Sequence, residues 1–349
     1  MTLLTLHSQV LAATSSDENF VDFETPLWWW AALLAFITLL LTVDLLVVHR
    51  RPHAASTKEA AIESAVWISI GLAFGLVLLA THGSAAAGEY YAGFLIEKSL
   101  SVDNVFVWAL IFSYFMVPRE FQHRVLFWGI FGALVLRGIF IFAGVALIER
   151  FSWIIFVFGA FLLFTAIRLV THDEAEVHPE RNPVLKLVQK VVPSTPEYHG
   201  QKMFVRIDAK RLATPLFAVL VLIETTDVIF AVDSIPAILA VSHQPFIVFS
   251  SNAFAILGLR ALYFLLAGLH ARFTYLQQGL AIILGFVGIK MIASHWFHIP
   301  TGLSLAFIAL VLTISIVASL RKPPRVQESG EWPSLEEEVP EEPPPMQER

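Results

Sequence analysis

The chain has 349 residues, of which 56% are hydrophobic and 15% charged, with no cysteine and a net charge of −6. The missing cysteines exclude disulfides, thiolate metal sites and thiol catalysis. Much of the negative charge sits in the last 29 residues, so it says little about a ligand, and nucleic acid is not expected among the partners.

The apolar stretches match the roughly 20 residues a helix needs to cross a bilayer core of about 30 Å, and they lack the alternation of barrel strands. An all-α, polytopic membrane fold follows. Residues 1–26 form an N-terminal segment whose first part, Met1 to Ser15, lacks a basic n-region and does not read as a cleaved signal peptide. Helices are expected near Leu27 to Val48, Ser64 to His82, Phe94 to Val117, Val125 to Ile148, Phe151 to Val170, Thr214 to Val241, Phe246 to Gly268, Leu276 to Ser294 and Leu303 to Leu320, about nine spans. Only Glu149 and Arg150 separate the fourth from the fifth, which predicts a tight hairpin. Residues 27–93 hold two peripheral helices, 94–170 a three-helix unit, 171–213 a polar loop with Pro179, Pro183, Pro193 and Pro196, 214–294 a second three-helix unit, and 295–320 a last helix. The acidic, Pro-rich residues 321–349 lack apolar periodicity and are expected to be disordered.

Lysines and arginines set the orientation. Arg50, Arg51, Lys58, Arg119, Arg124, the seven basic residues between His172 and Leu212, Arg272, Arg321, Lys322 and Arg325 share one side of this layout, against Arg150 alone on the other. That side reads as cytoplasmic, with the N-terminus outside, the C-terminus inside, and the turns near Gly83 to Tyr90, Ser242 to Pro245 and His295 to Gly302 also outside. The basic loop has the charge to meet anionic lipid headgroups, although orientation alone explains it.

The two three-helix units echo each other. Glu97-x5-Asp103-Asn104-Val105 matches Asp227-x5-Asp233-Ser234-Ile235, with Val102 and Val232 in register. Phe131-x2-Leu134-x-Leu136-Arg137 is answered by Phe254-x2-Leu257-x-Leu259-Arg260, and Thr165 to Val170 by Val287 to Ile292. Three spans per unit turn the second upside down, the inverted repeat expected of alternating-access carriers.

Carboxylates inside spanning helices cost about 2.5 to 3.5 kcal/mol each on insertion scales, so acids repeated there point to an ion path. Glu97, Asp103, Asn104, Glu224, Asp227, Asp233 and Ser234 form the candidate site. At 1.5 Å per residue Asp103 lies roughly 14 Å and Asp233 roughly 12 Å below the outer ends of their expected helices, both near midplane. Six residues turn a regular helix by about 600°, leaving Glu97 and Asp103 some 120° apart, so both face one cavity only where the helix unwinds or tilts. Pro236, which cannot donate to the Val232 carbonyl, supplies a reason for unwinding beside Asp233. Carboxylates, an amide oxygen, a hydroxyl and a freed carbonyl suit Mn²⁺, Ca²⁺ or Mg²⁺ and disfavour copper and zinc. Arg137 and Arg260 read as fixed counter-ions, and Lys98 and Lys290 as snorkelling toward the outer surface. Asp44, Glu63 and Asn252 lie near helix ends where hydration explains them, and most histidines read as surface residues.

In KEAAIESAVW, EKSLSVDNVF, RVLFWGIFGALVLRGIF, IETTDVIFAVDSIPAILA, SSNAFAILGLRALYFLLAG and GFVGIKMI the chain resembles the TerC integral membrane family, over roughly Lys58 to Leu320. The resemblance implies a multi-pass protein of the bacterial inner membrane related to LysE-type exporters, with members in Mn²⁺ efflux. By its motifs Glu97, Asp103, Asn104, Glu224, Asp227, Asp233 and Ser234 would carry the ion.

The expected function is secondary export of a divalent metal, manganese first, with the metal as substrate and no tightly bound cofactor. Inward proton movement would drive it if acids out of water exchange protons for the dication. The alternative is a non-transporting membrane component of a tellurite or metal stress-response complex, meeting cytoplasmic or membrane protein partners through the loop around Pro179 to Pro196. No enzyme is expected, since no nucleophile with an adjacent base and no H-E-x-x-H motif appears.

Overall fold

The computed structural model describes residues 20–45, 56–151, 153–171, 192–207, 210–266, 275–294, 296–297 and 299–321. The expectations for the tail beyond Arg321, for the first 19 residues and for Pro179 and Pro183 lie outside them. The described chain is mostly helical: α1 Leu27–Val43, α2 Thr57–Tyr114, α3 Arg119–Arg150, α4 Ile154–Thr171, α5 Pro215–Leu239, α6 Pro245–Leu257, α7 Leu259–Leu266, α8 Leu276–Ala293 and α9 Thr301–Arg321. The all-α expectation misses one feature in the polar loop, an antiparallel ribbon in which β1 (Phe204–Ile207) pairs with β2 (Lys210–Ala213). Phe204 and Val205 give this short stretch the apolar faces that strand pairing favours.

α2 is two helices joined at one residue. Ser56 caps its start by accepting the Glu59 N–H, and at Gly83 the backbone takes φ 83° and ψ −178°, a region open essentially to glycine alone. The chain reverses there. Tyr90 donates to the Gly71 carbonyl and Tyr91 to the Leu72 carbonyl, each at 2.8 Å across 19 residues that a straight helix would hold roughly 28 Å apart. The expected outer turn from Gly83 to Tyr90 therefore shrinks to one residue, and the returning arm is helical from Ser84 onward. Gly83→Ala should destabilise the protein by about 1–3 kcal/mol, read as a lower unfolding midpoint in detergent. An unchanged midpoint would show that the turn is not strained by a side chain.

Proline starts α5 and α6 at Pro215 and Pro245, where its fixed φ suits a first helical turn. The tight hairpin expected at Glu149 and Arg150 is present: α3 ends at Arg150 and α4 begins at Ile154. The expected span from Phe246 to Gly268 is present over Pro245–Leu266, with α6 passing into α7 at Gly258, where a Cβ would lie 2.7 Å from that of Trp67. α4 and α8 cross closely because Gly159 and Gly288 face each other, and a Cβ on Gly288 would stand 2.9 Å from the Gly159 carbonyl oxygen.

Every residue from Phe246 to Leu257 is buried, which makes α6 the central rod. The outer helices present apolar faces to the surroundings: Ile314 on α9 is 58% exposed and Phe164 on α4 is 63% exposed. Such faces are stable against lipid rather than water. Among the described residues six helices, counting α6 and α7 as one rod, are long and apolar enough to cross a membrane, so the protein is an integral, multi-pass membrane protein.

Contacts sort the bundle into two ends. At the strap end, extended residues 21–26 cross the helix tips: the Phe23 carbonyl accepts from Gln244, and Phe23 packs on His82 at 4.1 Å. At the opposite end, called the hairpin end after the β1–β2 ribbon and not the Glu149–Arg150 turn, Tyr198 donates at 2.6 Å to the Phe115 carbonyl and Gln201 at 3.0 Å to that of Glu120, tying the ribbon segment to the start of α3. Burial pushes the Tyr198 hydroxyl above its ordinary pKa, so it stays a donor.

Candidate ion-binding site

Arg137 on α3 reaches the interior of the bundle at 1% exposure. Its Nε and Nη2 donate to the two carboxylate oxygens of Asp227 on α5 at 3.2 and 2.9 Å, a bidentate pair. Nη1 donates to Glu97 on the returning arm of α2 and, at 3.1 Å, to the Ser234 hydroxyl. The other oxygen of Glu97 accepts from Asn252 of α6 at 3.1 Å. Asn252 was read as a hydrated helix-end residue, yet it is buried and orients a carboxylate.

Glu97 and Asp227, the matching acids of the two sequence units, thus grip one guanidinium. Glu97 is fully buried and Asp227 is 2% exposed. Ionised, the group holds two negative charges against one positive. A net charge without water is expensive, and a cation or proton arriving there relieves it.

The remaining candidates spread along the bundle. The α2 returning arm and α5 run antiparallel, so the six-residue step puts Asp103 about 9 Å from Glu97 toward the hairpin end and Asp233 about 9 Å from Asp227 toward the strap end. This corrects the placement of both acids at one depth. Asp233 accepts from Thr165 of α4 at 3.1 Å. Asn104 is buried, and its Oδ1 has no hydrogen-bond partner among the described residues. Glu224, one turn before Asp227, sits against Gly132, where a Cβ would fall 2.0 Å from its Oε1, and its Oε2 is buried without a hydrogen bond among the described residues. Glycine at 132 is what leaves room for that carboxylate.

No helix unwinds at either motif. α5 runs unbroken through Pro236, whose carbonyl still accepts from Ala240 at 3.0 Å, because a proline removes one donor and the turns on both sides hold. Among the described residues no three His, Asp or Glu side chains close into a ready metal cage.

Arg260, on α7, belongs to another cluster. It pairs with Asp44 at the end of α1 and with Glu63 at 2.8 Å on the outgoing arm of α2. Asp44 is 7% exposed, so ion pairing rather than hydration accounts for it. Lys98 does not snorkel: it donates at 3.0 Å to the Ala255 carbonyl. Lys290 is likewise buried.

Sequence reasoning missed Glu89. Only 1% exposed, it accepts the Val21 N–H at 2.7 Å. Its position, read as an outer turn, concealed it, and the apolar run that follows was the available signal.

A polytopic helical bundle whose interior carries a guanidinium between acids from matched sequence units defines a membrane protein with a buried ionic site. Residues 82–327 match the integral membrane protein TerC family, and the chain belongs to that family. It is 48% identical over 305 residues to an uncharacterized membrane protein of Myxococcus xanthus, covering 87% of this chain and 95% of that one. It is 47% identical over 302 residues to a protein of Escherichia coli K12 named "Putative membrane-bound redox modulator Alx", covering 84% and 94%. A Rickettsia bellii membrane protein is 40% identical over 293 residues, covering 83% and 96%. No solved structure matches the chain.

Proposed function

We propose that the protein is a secondary transporter that moves a divalent cation, manganese in first place, out of the cytoplasm across the bacterial inner membrane. The observation carrying this reading is the surplus of buried carboxylate around Arg137. The resting guanidinium holds Glu97 and Asp227 in place of cargo; an entering cation takes over one of them. Asp103 and Glu224 toward the hairpin end, and Asp233 toward the strap end, supply oxygen ligands on either side, the chemistry of hard cations.

The architecture agrees with alternating access. Six crossing helices, one of them folded back at Gly83, together with the shorter apolar helices α1 and Gln277–Ala293, accommodate nine crossings. On this reading the returning arm of α2, α3 and α4 each run opposite to their counterparts α5, the α6–α7 rod and α8, which is the order an inverted repeat requires. Exposed Lys202, Arg206, Lys210 and Arg211 support taking the hairpin end as the cytoplasmic one.

Orientation has a direct test in a chain without cysteine. Ser84→Cys and Arg206→Cys, both exposed positions, should react with an impermeant thiol reagent from opposite sides of the membrane. Labelling from the same side would overturn the inverted arrangement. Mn²⁺ binding to purified protein, followed by loss of the free-ion electron paramagnetic resonance signal, should be saturable and weakened in Glu97→Gln. Binding that Glu97→Gln leaves intact would remove the Arg137 cluster from the path.

The name of the Escherichia coli relative favours a second reading, a modulator of redox state. With no cysteine this chain cannot exchange thiols itself, so that role would run through the metal it moves or through a partner in a stress-response complex.

A further inference from the structure

Glu89 stands outside the Arg137 cluster, about 12 Å up the returning arm from Glu97 and toward the strap end. Its Oε1 accepts the Val21 N–H at 2.7 Å, while Oε2 is buried with no hydrogen-bond partner among the described residues. Ser242, at the turn between α5 and α6, and Lys290 on α8 face the same carboxylate. α6 contributes no charged side chain, and the one on α9 is Arg321 at the opposite end. The strap over Glu89 carries Asp22 and Glu24 and rests on two histidines, Phe20 on His243 at 4.2 Å and Phe23 on His82 at 4.1 Å.

The second unit has Val219 where the first has Glu89, so this acid breaks the repeat. Glu224 breaks it too, on the hairpin side of the centre. A file results: Glu224, the Arg137 cluster, Glu89. A dication at Glu89 would bring two further charges against the Lys290 ammonium, whereas a proton on Oε2 brings one and needs no further ligand.

We propose that Glu89 is a proton-exchange station at the strap end of the path, loaded from water outside when residues 20–26 lift from it. The O–H bond forms at Oε2 with a proton from that water and breaks when the proton leaves inward, while metal moves outward. The role in coupling rests on the transport reading; the proton site does not.

The test has two arms on the full-length protein. In infrared difference spectra of the purified protein, stepping the pH should reveal a protonated-carboxyl carbonyl band that Glu89→Gln removes; Gln keeps an acceptor for Val21, and Glu89→Asp, which keeps a carboxyl, should retain a shifted band. Spectra that Glu89→Gln leaves unchanged would overturn the station, whatever the protein transports. In proteoliposomes Glu89→Gln should keep metal-for-metal exchange at equal pH and lose about tenfold or more of the net flux driven by a pH gradient, a loss worth about 1.4 kcal/mol. Full pH-driven flux in Glu89→Gln would also overturn it. Wild-type protein that moves no metal, with the band present, would defeat the transport reading and leave the proton site standing.

Discussion

Arg137→Met should be the most damaging single substitution in the bundle. It leaves Glu97 and Asp227 facing each other in a site closed to water, and removing one partner of a buried ionic group costs about 3–5 kcal/mol. The expected result is a large loss of folded protein in detergent and a strongly lowered unfolding midpoint. Neutralising the acids as well, in the triple variant Arg137→Met, Glu97→Gln, Asp227→Asn, should return most of the stability, since a buried charge network replaced by neutral groups is often tolerated. The triple variant should still carry no cation. If Arg137→Met folds with wild-type stability, the guanidinium is not what compensates these acids.

Asp103→Asn and Asp233→Asn should each abolish metal flux while leaving insertion intact. The amide keeps the volume and removes the charge that attracts a dication, at about tenfold in affinity for every ~1.4 kcal/mol of lost attraction. The two acids flank the Arg137 cluster on opposite sides, so a cation crossing the protein passes both. Glu224→Gln should be milder, because its carboxylate lies beside Gly132 on the approach from the hairpin end. Full export by either Asp variant would strike that residue from the path, and equal loss in Glu224→Gln would promote it to the central site.

The helices and the paired acids were legible because both are written in local pattern. Long apolar runs predict spans, and the match of the Glu97 motif to the Asp227 motif pointed to a shared site, of whose seven candidates Glu97, Asp227 and Ser234 gather on Arg137. Partners across the bundle were not legible. Nothing near Asn252 in the chain says that its amide reaches Glu97, 155 residues away, and Asp44 finds Arg260 across 216 residues. Gly83 hid Glu89 for a related reason: a whole turn was expected where one glycine suffices, so a buried carboxylate fell inside the expected turn and was passed over. Pro236 misled in the other direction, since losing one donor does not unwind a helix packed on both sides.

The central claim is that this protein moves a hard divalent cation through its carboxylate file. Radiolabelled Mn²⁺ uptake into sealed, inside-out vesicles containing the protein measures it directly, with Ca²⁺ and Mg²⁺ in competition and an imposed pH gradient under a clamped membrane potential. The account predicts saturable uptake that the pH gradient accelerates, with protons moving the opposite way and no uptake in Asp103→Asn or Asp233→Asn vesicles. Uptake no greater than in protein-free vesicles, under any gradient, would contradict it.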